Sequence, residues 1–401
     1  MATASIWQRP LALEADVAIV GGGVTGAATA QALRELRPDA RLVVVEAERL
    51  AHGASGRNAG FLLLGTHADY ASAVATHGRA RARRLWGFTA DAFRRAAEIA
   101  ERHRVGFHAC GSVLAAATNA EAERLRQSHV LLAEDGVASH WVSPDALGAL
   151  GLADYHGALV VPEGGALDPV RWVRALIADS RAHVLEGWPV ETVEPDGGRV
   201  RLGSGDSCVV ADRVLIAINA WTPALVAEAP VRPVRAQMLA TEPVPPILPR
   251  PVYSHEGYYY VRQRPDGRIV MGGARHLFRD QEVGLVDETT APLQAALETA
   301  LARHVPAAGG ARIERRWSGP MGFSPDGLPR LAAVPGVPGA WWAGGFTGHG
   351  MGYAARFGML AARRLLDLPD PDDDLFDAPD VASSRGTART DDRLGPLDLF
   401  L

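Results

Sequence analysis

Val17, Ile19 and Val20 stand in a short run almost free of polar residues, the pattern of a strand buried on both faces of a parallel sheet. The run stops at Gly21-Gly22-Gly23. From Val24 to Leu36 the alanines and leucines predict a helix, closed by Arg37-Pro38-Asp39, and Leu42 to Val45 predicts a second, β-branched strand. This is a complete βαβ unit. Beyond it the period lengthens to that of amphipathic helices over Arg79 to Arg104 and Asn119 to Asp135, with Trp86, Phe93 and Ile99 among the apolar positions. Another helix is predicted from Pro169 to Ser180. Val190 to Val210 reads as short antiparallel strands turning at residues 195–198 and 203–206, and Val209 to Ile218 returns to parallel-sheet character. The proline density from Pro223 to Pro251 marks a crossing segment. Tyr258 to Arg262 and Arg268 to Gly273 flank Pro265-Asp266-Gly267 as a hairpin of a larger antiparallel sheet. Thr289 to His304 is helical in pattern, Trp341 to Leu368 holds a strand, a glycine turn and a long helix, and Pro369 to Leu401 reads as an acidic tail.

The glycines carry the first chemistry. Gly21 permits a tight turn after the strand, Gly23 lets backbone approach a pyrophosphate, and Gly26 lets the next helix pack closely on the strand. With Val24 and Thr25 they open that helix, whose N-terminal N–H groups favour phosphate oxygens. Glu46 closes the second strand about 20 residues after the last glycine, where a carboxylate accepts from ribose hydroxyls. Dinucleotide binding follows, and an acid at this position favours FAD or NAD over NADP. A second glycine turn, Gly344-Gly345-Phe346-Thr347-Gly348-His349-Gly350-Met351-Gly352, lies near the other end of the chain. Two such turns point to a cofactor long enough to touch both, so FAD is expected.

Composition narrows the classes. With 401 residues and 47% hydrophobic content the chain is long for one domain. Its net charge of -5 suggests neither a nucleic-acid binder nor a membrane-surface protein, and no apolar run predicts a membrane span or a signal peptide. Cys110 and Cys208 are the only cysteines, which excludes a disulfide framework and fits a reducing, cytoplasmic setting. The chain contains no lysine, so lysine-assisted chemistry is excluded. No metal is expected, because His103, His108 and the cysteines lack ligand spacing. Arg79, Arg81, Arg83 and Arg84 read as a solvated helix face, and Asp372-Asp373-Asp374 as a solvated charge run.

These glycine turns, with Gly53-Ala54-Ser55-Gly56-Arg57-Asn58-Ala59-Gly60 and Gly322-Phe323-Ser324-Pro325-Asp326-Gly327-Leu328-Pro329, resemble the D-amino-acid oxidase-like FAD-dependent oxidoreductases over most of the chain. Residues 54–58 with Trp7 look most like the gamma-glutamylputrescine oxidoreductase branch, with sarcosine and glycine oxidases more distant. The resemblance implies an α/β fold: a Rossmann-like FAD-binding domain of glutathione-reductase type, interleaved with a substrate domain on a mixed or antiparallel sheet. The expected division gives residues 1–70, 151–230 and 315–368 to the FAD domain, 71–150 and 231–314 to the substrate domain, and 369–401 to the tail. It further implies that Ala47, Val190, residues 54–58 and residues 345–351 contact noncovalent FAD.

The implied reaction removes a hydride equivalent from a carbon bearing nitrogen in an amine or amino acid, leaving an imine that water hydrolyses. The flavin carries the hard step. Oxidation of a hydroxy acid or polyol, and a noncatalytic flavin-binding subunit, stay open as alternatives. Arg57 is the candidate for gripping a substrate carboxylate or the flavin, set against a structural ion pair. Tyr258 and Tyr260, on one face of their strand with Tyr259 on the other, wall the pocket or belong to core. His349 orients flavin-side groups or serves as a structural donor. Monomeric sarcosine oxidases use lysines near the flavin, one of them near the place of Gly352, and this chain has none. The electron acceptor, O2 or another, is therefore open.

Overall fold

The computed structural model describes residues 10–377, so Trp7 and the tail beyond residue 377 lie outside the described residues. The opening strand Ala12–Val20 runs parallel to Leu42–Val45 on one side and to Ser207–Ile216 on the other. Leu42–Val45 pairs in parallel with His183–Leu185, and Ser207–Ile216 with Ala340–Gly344. Arg330–Ala333 closes one edge antiparallel, while Thr192–Asp196 and Arg199–Ser204 form the short antiparallel strands that the turn residues predict. Both faces of this eight-stranded sheet are covered. Val17 and Ile19 pack into one core with the helices, and Ala18 and Val20 into another on the opposite face.

The helices Val24–Leu36, Pro169–Ser180, Arg79–His103 and Gly350–Leu365 cover the first face. Their approach is close. A Cβ on Gly358 would stand 2.5 Å from the backbone of Ala28, so two helices cross there in near backbone contact. The helix Pro169–Ser180 begins where its sequence says it should: Asp168 accepts from the Val170 and Arg171 N–H groups, and Pro169 occupies the first turn.

A second eight-stranded sheet takes Ile313–Phe323, Arg232–Pro243, Arg268–Gly273, Tyr259–Gln263, Val252–Ser254, Ser112–Ala115, Ala158–Val161 and His140–Val142 in that order. It is antiparallel except where Val252–Ser254 meets Ser112–Ala115. The helix Ala291–His304 packs against it. The chain passes between the two sheets repeatedly, as the resemblance implies. Yet Ala158–Val161 and Ile313–Phe323 belong to the second sheet, so the divisions expected at residues 150 and 314 fall short of the changeovers.

Within the crossing segment, residues 223–251, lies a twelve-residue strand that the sequence reading did not name, Arg232–Pro243, second in its sheet between Ile313–Phe323 and Arg268–Gly273. The tail and the two charged runs are corrected. Residues 370–377 are no loose tail. Leu375 and Phe376 are fully buried, Phe376 with its ring 4.8 Å from Phe88, 5.4 Å from Phe357 and 5.9 Å from Tyr353. The aspartates expected in solvent are paired: Asp374 with Arg84, Asp373 with Arg364, and Asp372 with Arg356 and Arg84. Asp370 joins Arg356 as well. Arg84 and Arg81, which donates to the Leu375 carbonyl at 2.9 Å, thus anchor this strap, and Arg79 pairs with Glu134 and Asp135.

Candidate active site

At the end of the first strand Gly21 takes φ +110°, where a Cβ would meet the Ala217 carbonyl at 2.5 Å. Gly26 is just as constrained, its Cβ position lying 2.1 Å from the Gly21 carbonyl. Gly23 faces open space apart from Ser55, whose hydroxyl accepts from the Val24 N–H at 2.9 Å. Thus the segment 53–60 is tied to the start of the first helix. Asn58 knots that segment, donating to the Ala54 and Ser55 carbonyls and accepting from Gly60. Glu46 accepts from the Gly22 N–H at 2.7 Å and from the Glu48 N–H at 3.0 Å, which fixes its carboxylate beside the turn.

A cavity of about 510 Å³ begins here and ends at the second glycine turn. Of the expected cofactor contacts, Gly21, Gly23, Val24, Thr25, Glu46, Ala47, Ala54, Ser55, Arg57, Asn58 and Val190 line it, as do Phe346 to Met351. Gly26, Gly56 and Gly345 stand behind the wall. Gly56 lies against the Ala51 carbonyl, and Gly345, at φ +72°, faces Ser324 and donates to Asn219 Oδ1 at 3.1 Å. The helix Gly350–Leu365 has no acid in its first turn, and Gly350, Met351 and Gly352 present its N-terminus to the cavity.

The far end of the cavity is aromatic. Tyr260 lines it, stacked on Tyr253 with ring centroids 5.9 Å apart, and Tyr253 meets the His349 ring edge-on at 5.4 Å. Burial drives the Tyr260 hydroxyl up to about 12 and Tyr253 higher still, so both stay protonated. Burial also lowers His349 to about 4 and His67, 6.4 Å from it, to about 3. Both imidazoles are neutral at ordinary pH. Tyr258 is placed differently from the expectation: it precedes the strand and lies outside the cavity wall, under the guanidinium of Arg275 at 4.7 Å. Arg275 lines the cavity, with the Phe323 ring 4.8 Å away on its other contact.

Arg57 stands in the cavity wall with its guanidinium engaged by protein partners, as in the ion-pair alternative. Its Nε donates to the His52 carbonyl, its NH1 to the Ser318 carbonyl, and it pairs with Asp287 at 2.6 Å. The guanidinium therefore pins segment 53–60 to the second sheet. Tyr253, Arg275 and His67 escaped the sequence reading. A signal was present only for Arg275, a cation two residues after the strand that ends in Gly272-Gly273.

The donors and spaces fit a dinucleotide. Two helix N-termini open on the two ends of one cavity, a carboxylate stands beside the first, and Gly23 leaves room that a side chain would fill. No group of His, Cys, Asp and Glu able to hold a metal occurs among the described residues.

Comparison with known proteins agrees. Residues 16–364 match the model of the family described as DAO, FAD dependent oxidoreductase. Probable oxidoreductase OrdL of Rhizobium meliloti is 27% identical over 388 residues, 90% of this chain and 87% of that protein. Glycine oxidase of Geobacillus kaustophilus is 26% identical over 90% of this chain and 94% of its own length. The crystal structure of that organism's glycine oxidase superposes with a TM-score of 0.76 at 24% identity, covering 90% and 96% of the two chains. L-proline dehydrogenase from P.horikoshii superposes at 0.75 with 19% identity, covering 90% and 94%. The cavity between the two glycine turns and the match over residues 16–364 lead to one conclusion: this chain is a member of the DAO family of FAD-dependent oxidoreductases.

Proposed function

We propose that this enzyme oxidises the C–N bond of a small amine or amino acid at the aromatic end of its cavity. One observation carries the reading: neutral His349 and the protonated Tyr253–Tyr260 pair enclose, with Phe61 and Met238, an aromatic and apolar pocket beside the second glycine turn, with Arg275 in its wall. Bound FAD supplies the hydride acceptor. The protein's own task is to hold the substrate carbon in place and to favour the amine with its lone pair free. A low-dielectric wall does the latter, because burial disfavours an ammonium as it disfavours any charge. No strong base is required. The Gly350–Leu365 helix N-terminus favours the negative charge that accompanies reduction.

Neither Cys110 nor Cys208 lines the cavity, which supports noncovalent FAD. The two free cysteines support a reducing compartment, and no helix among the described residues is long and apolar enough to cross a membrane. The chain contains no lysine to assist oxygen reduction, which supports an acceptor other than O2. Anaerobic mixing of the purified yellow enzyme with panels of amines, amino acids and hydroxy acids tests the reading. Bleaching by amines or amino acids is expected. Bleaching by hydroxy acids alone would overturn it, and the rate of reoxidation in air separates an oxidase from a dehydrogenase.

A further inference from the structure

The turn His255-Glu256-Gly257 joins the strands Val252–Ser254 and Tyr259–Gln263 at the aromatic end of the cavity. All three residues take left-handed backbone, at φ +53°, +55° and +86°, although two of them carry a Cβ. Glu256 and Gly257 line the cavity, and they also line a second one, of about 390 Å³, that adjoins it. Gly257 lies against the Tyr253 ring, which a Cβ would approach to 3.1 Å, and Glu256 is exposed. The turn is thus a thin piece of wall between solvent and the place where the reacting bond is held. A helix tethers it. The Glu256 N–H donates to Glu121 at 2.6 Å and the Glu256 carboxylate pairs with Arg124 at 2.7 Å, both partners belonging to Asn119–Glu134. The Gly257 and Tyr258 N–H groups close onto the Ser254 and His255 carbonyls.

Behind the turn, His255 enters a cluster of rings. Its centroid lies 5.2 Å from His304, 6.4 Å from His276, 4.8 Å from Tyr259 and 6.1 Å from Tyr155. These groups come from separate elements: His276 follows Arg268–Gly273, His304 ends Ala291–His304, and Tyr155 precedes Ala158–Val161. The charges around them are mainly positive. Arg303 faces His255 and His304, while Arg275 and Arg279 face His276. Asp154, beside His304, is paired with Arg303, and Glu256 is paired with Arg124. Burial, then His304, His276 and Arg303, holds His255 down at about 4, and burial with Arg275 and Arg279 does the same to His276. His304 is lowered as well, chiefly by burial. Ser254 Oγ accepts from the Tyr155 hydroxyl at 2.9 Å and lies 3.1 Å from His255 Nδ1, which can accept there only while its ring is neutral. The cluster therefore accommodates three imidazoles but not three imidazoliums.

Resting on the reading of the aromatic end as the amine-oxidation site, we propose that His255-Glu256-Gly257 is an acid-sensitive flap, closed over that site while its histidine cluster is neutral and released when His255 takes up a proton. A charge on His255 is repelled by Arg303 and, as they too gain protons, by His276 and His304. Swinging the turn into water removes that repulsion and relaxes the left-handed backbone. The Glu256–Arg124 pair is the catch that resists it. Closed, the flap keeps water from the reacting carbon; open, it admits solvent along the edge that the two cavities share. Once released, His255 titrates near 6.5 rather than about 4, so acid favours release, and from pH 7.5 to 5.5 the open fraction rises about tenfold through this one group.

Hydrogen exchange on the FAD-loaded enzyme, with no substrate present, tests the flap apart from the reaction. Corrected for the intrinsic rate, exchange at the Glu256, Gly257 and Tyr258 amides is expected to rise about tenfold from pH 7.5 to 5.5, while the amides of Ala12–Val20 stay protected. His255→Asn suits left-handed backbone and takes up no proton, so it should hold exchange at the pH 7.5 level throughout. His255→Arg, always charged, should exchange at pH 7.5 as fast as the parent does at pH 5.5. Should neither variant fold, His276→Gln is expected to shrink the pH effect at the same amides. Exchange in the turn that is indifferent to pH, or a rise that persists undiminished in His255→Asn or His276→Gln, overturns the flap. Failure of amines to bleach the flavin would remove the amine-oxidation reading instead, and would leave the exchange result as it stands.

Discussion

Replacing Phe376 by alanine tests whether residues 370–376 belong to the folded core. The ring is fully buried against Phe88, Phe357 and Tyr353, and a Phe→Ala change in such a setting costs about 3–5 kcal/mol. Unfolding entropy of about 2.1 cal/mol/K per residue, over 401 residues, gives roughly 0.8 kcal/mol/K. The melting temperature should therefore fall by about 4–6 °C. A loose tail would lose less than about 0.5 kcal/mol, a shift below about 1 °C. Scanning fluorimetry on the FAD-loaded protein at fixed FAD concentration separates these outcomes. The effect should reach the flavin site too, since Phe357 lies 5.1 Å from Phe346, which lines the cavity. Faster FAD release should accompany the lower melting temperature. A variant that melts within about 1 °C of the parent would refute the reasoning.

Burial holds His349 near 4 and His67 near 3 in the fold, against about 6.5 in the unfolded chain. The unfolded state thus binds more protons between these values, so stability falls as pH drops from about 6.5 to about 4, by at most about 1.4 kcal/mol per pH unit per group. Urea midpoints across that range should show the decline, with a shallower slope in His349→Gln; equal slopes would count against it. Gly26→Ala places a Cβ 2.1 Å from the Gly21 carbonyl and should abolish flavin retention. Gly87→Ala, in a helix with nothing within 4 Å of the new methyl, should instead stabilise by about 0.5–1 kcal/mol, read from the same melting curves. Glu282→Ala strands the buried Arg235 guanidinium, which it now meets at 2.7 and 2.9 Å, and should cost about 3–5 kcal/mol in chemical denaturation.

What could be read from sequence was local. The turn at Gly21, the helix capped by Asp168 and the acid Glu46 each rest on neighbours within a few residues or one βαβ unit, and the structure places them as the spacing implies. The strand Arg232–Pro243 was hidden because the prolines around it end it rather than break it: residues 234–242 contain none. The ion pair weighed for Arg57 could not be assigned a partner from sequence, because Asp287 and Ser318 lie more than 200 residues away. The same distance concealed the strap, whose aspartates meet Arg84 across 290 residues. Tyr253 gave no pattern at all, since its role comes from stacking on Tyr260 across a strand pair.

The pairing of the first strand has a consequence for how the protein is made. Leu11 meets Ser207 across 196 residues, and the parallel ladder from Ala12 to Val20 cannot close until Cys208 to Ile216 exist. At about 5–20 residues per second, the ribosome needs on the order of 10–40 s to supply them. Ala340–Gly344 and the second glycine turn arrive later still. Throughout that interval the nucleotide-binding turn stands on a strand with one open, apolar edge. A newborn chain therefore gains both ends of its FAD cavity only once residues 346–352 have been made, and its vulnerability to misassociation is greatest before the cofactor can help.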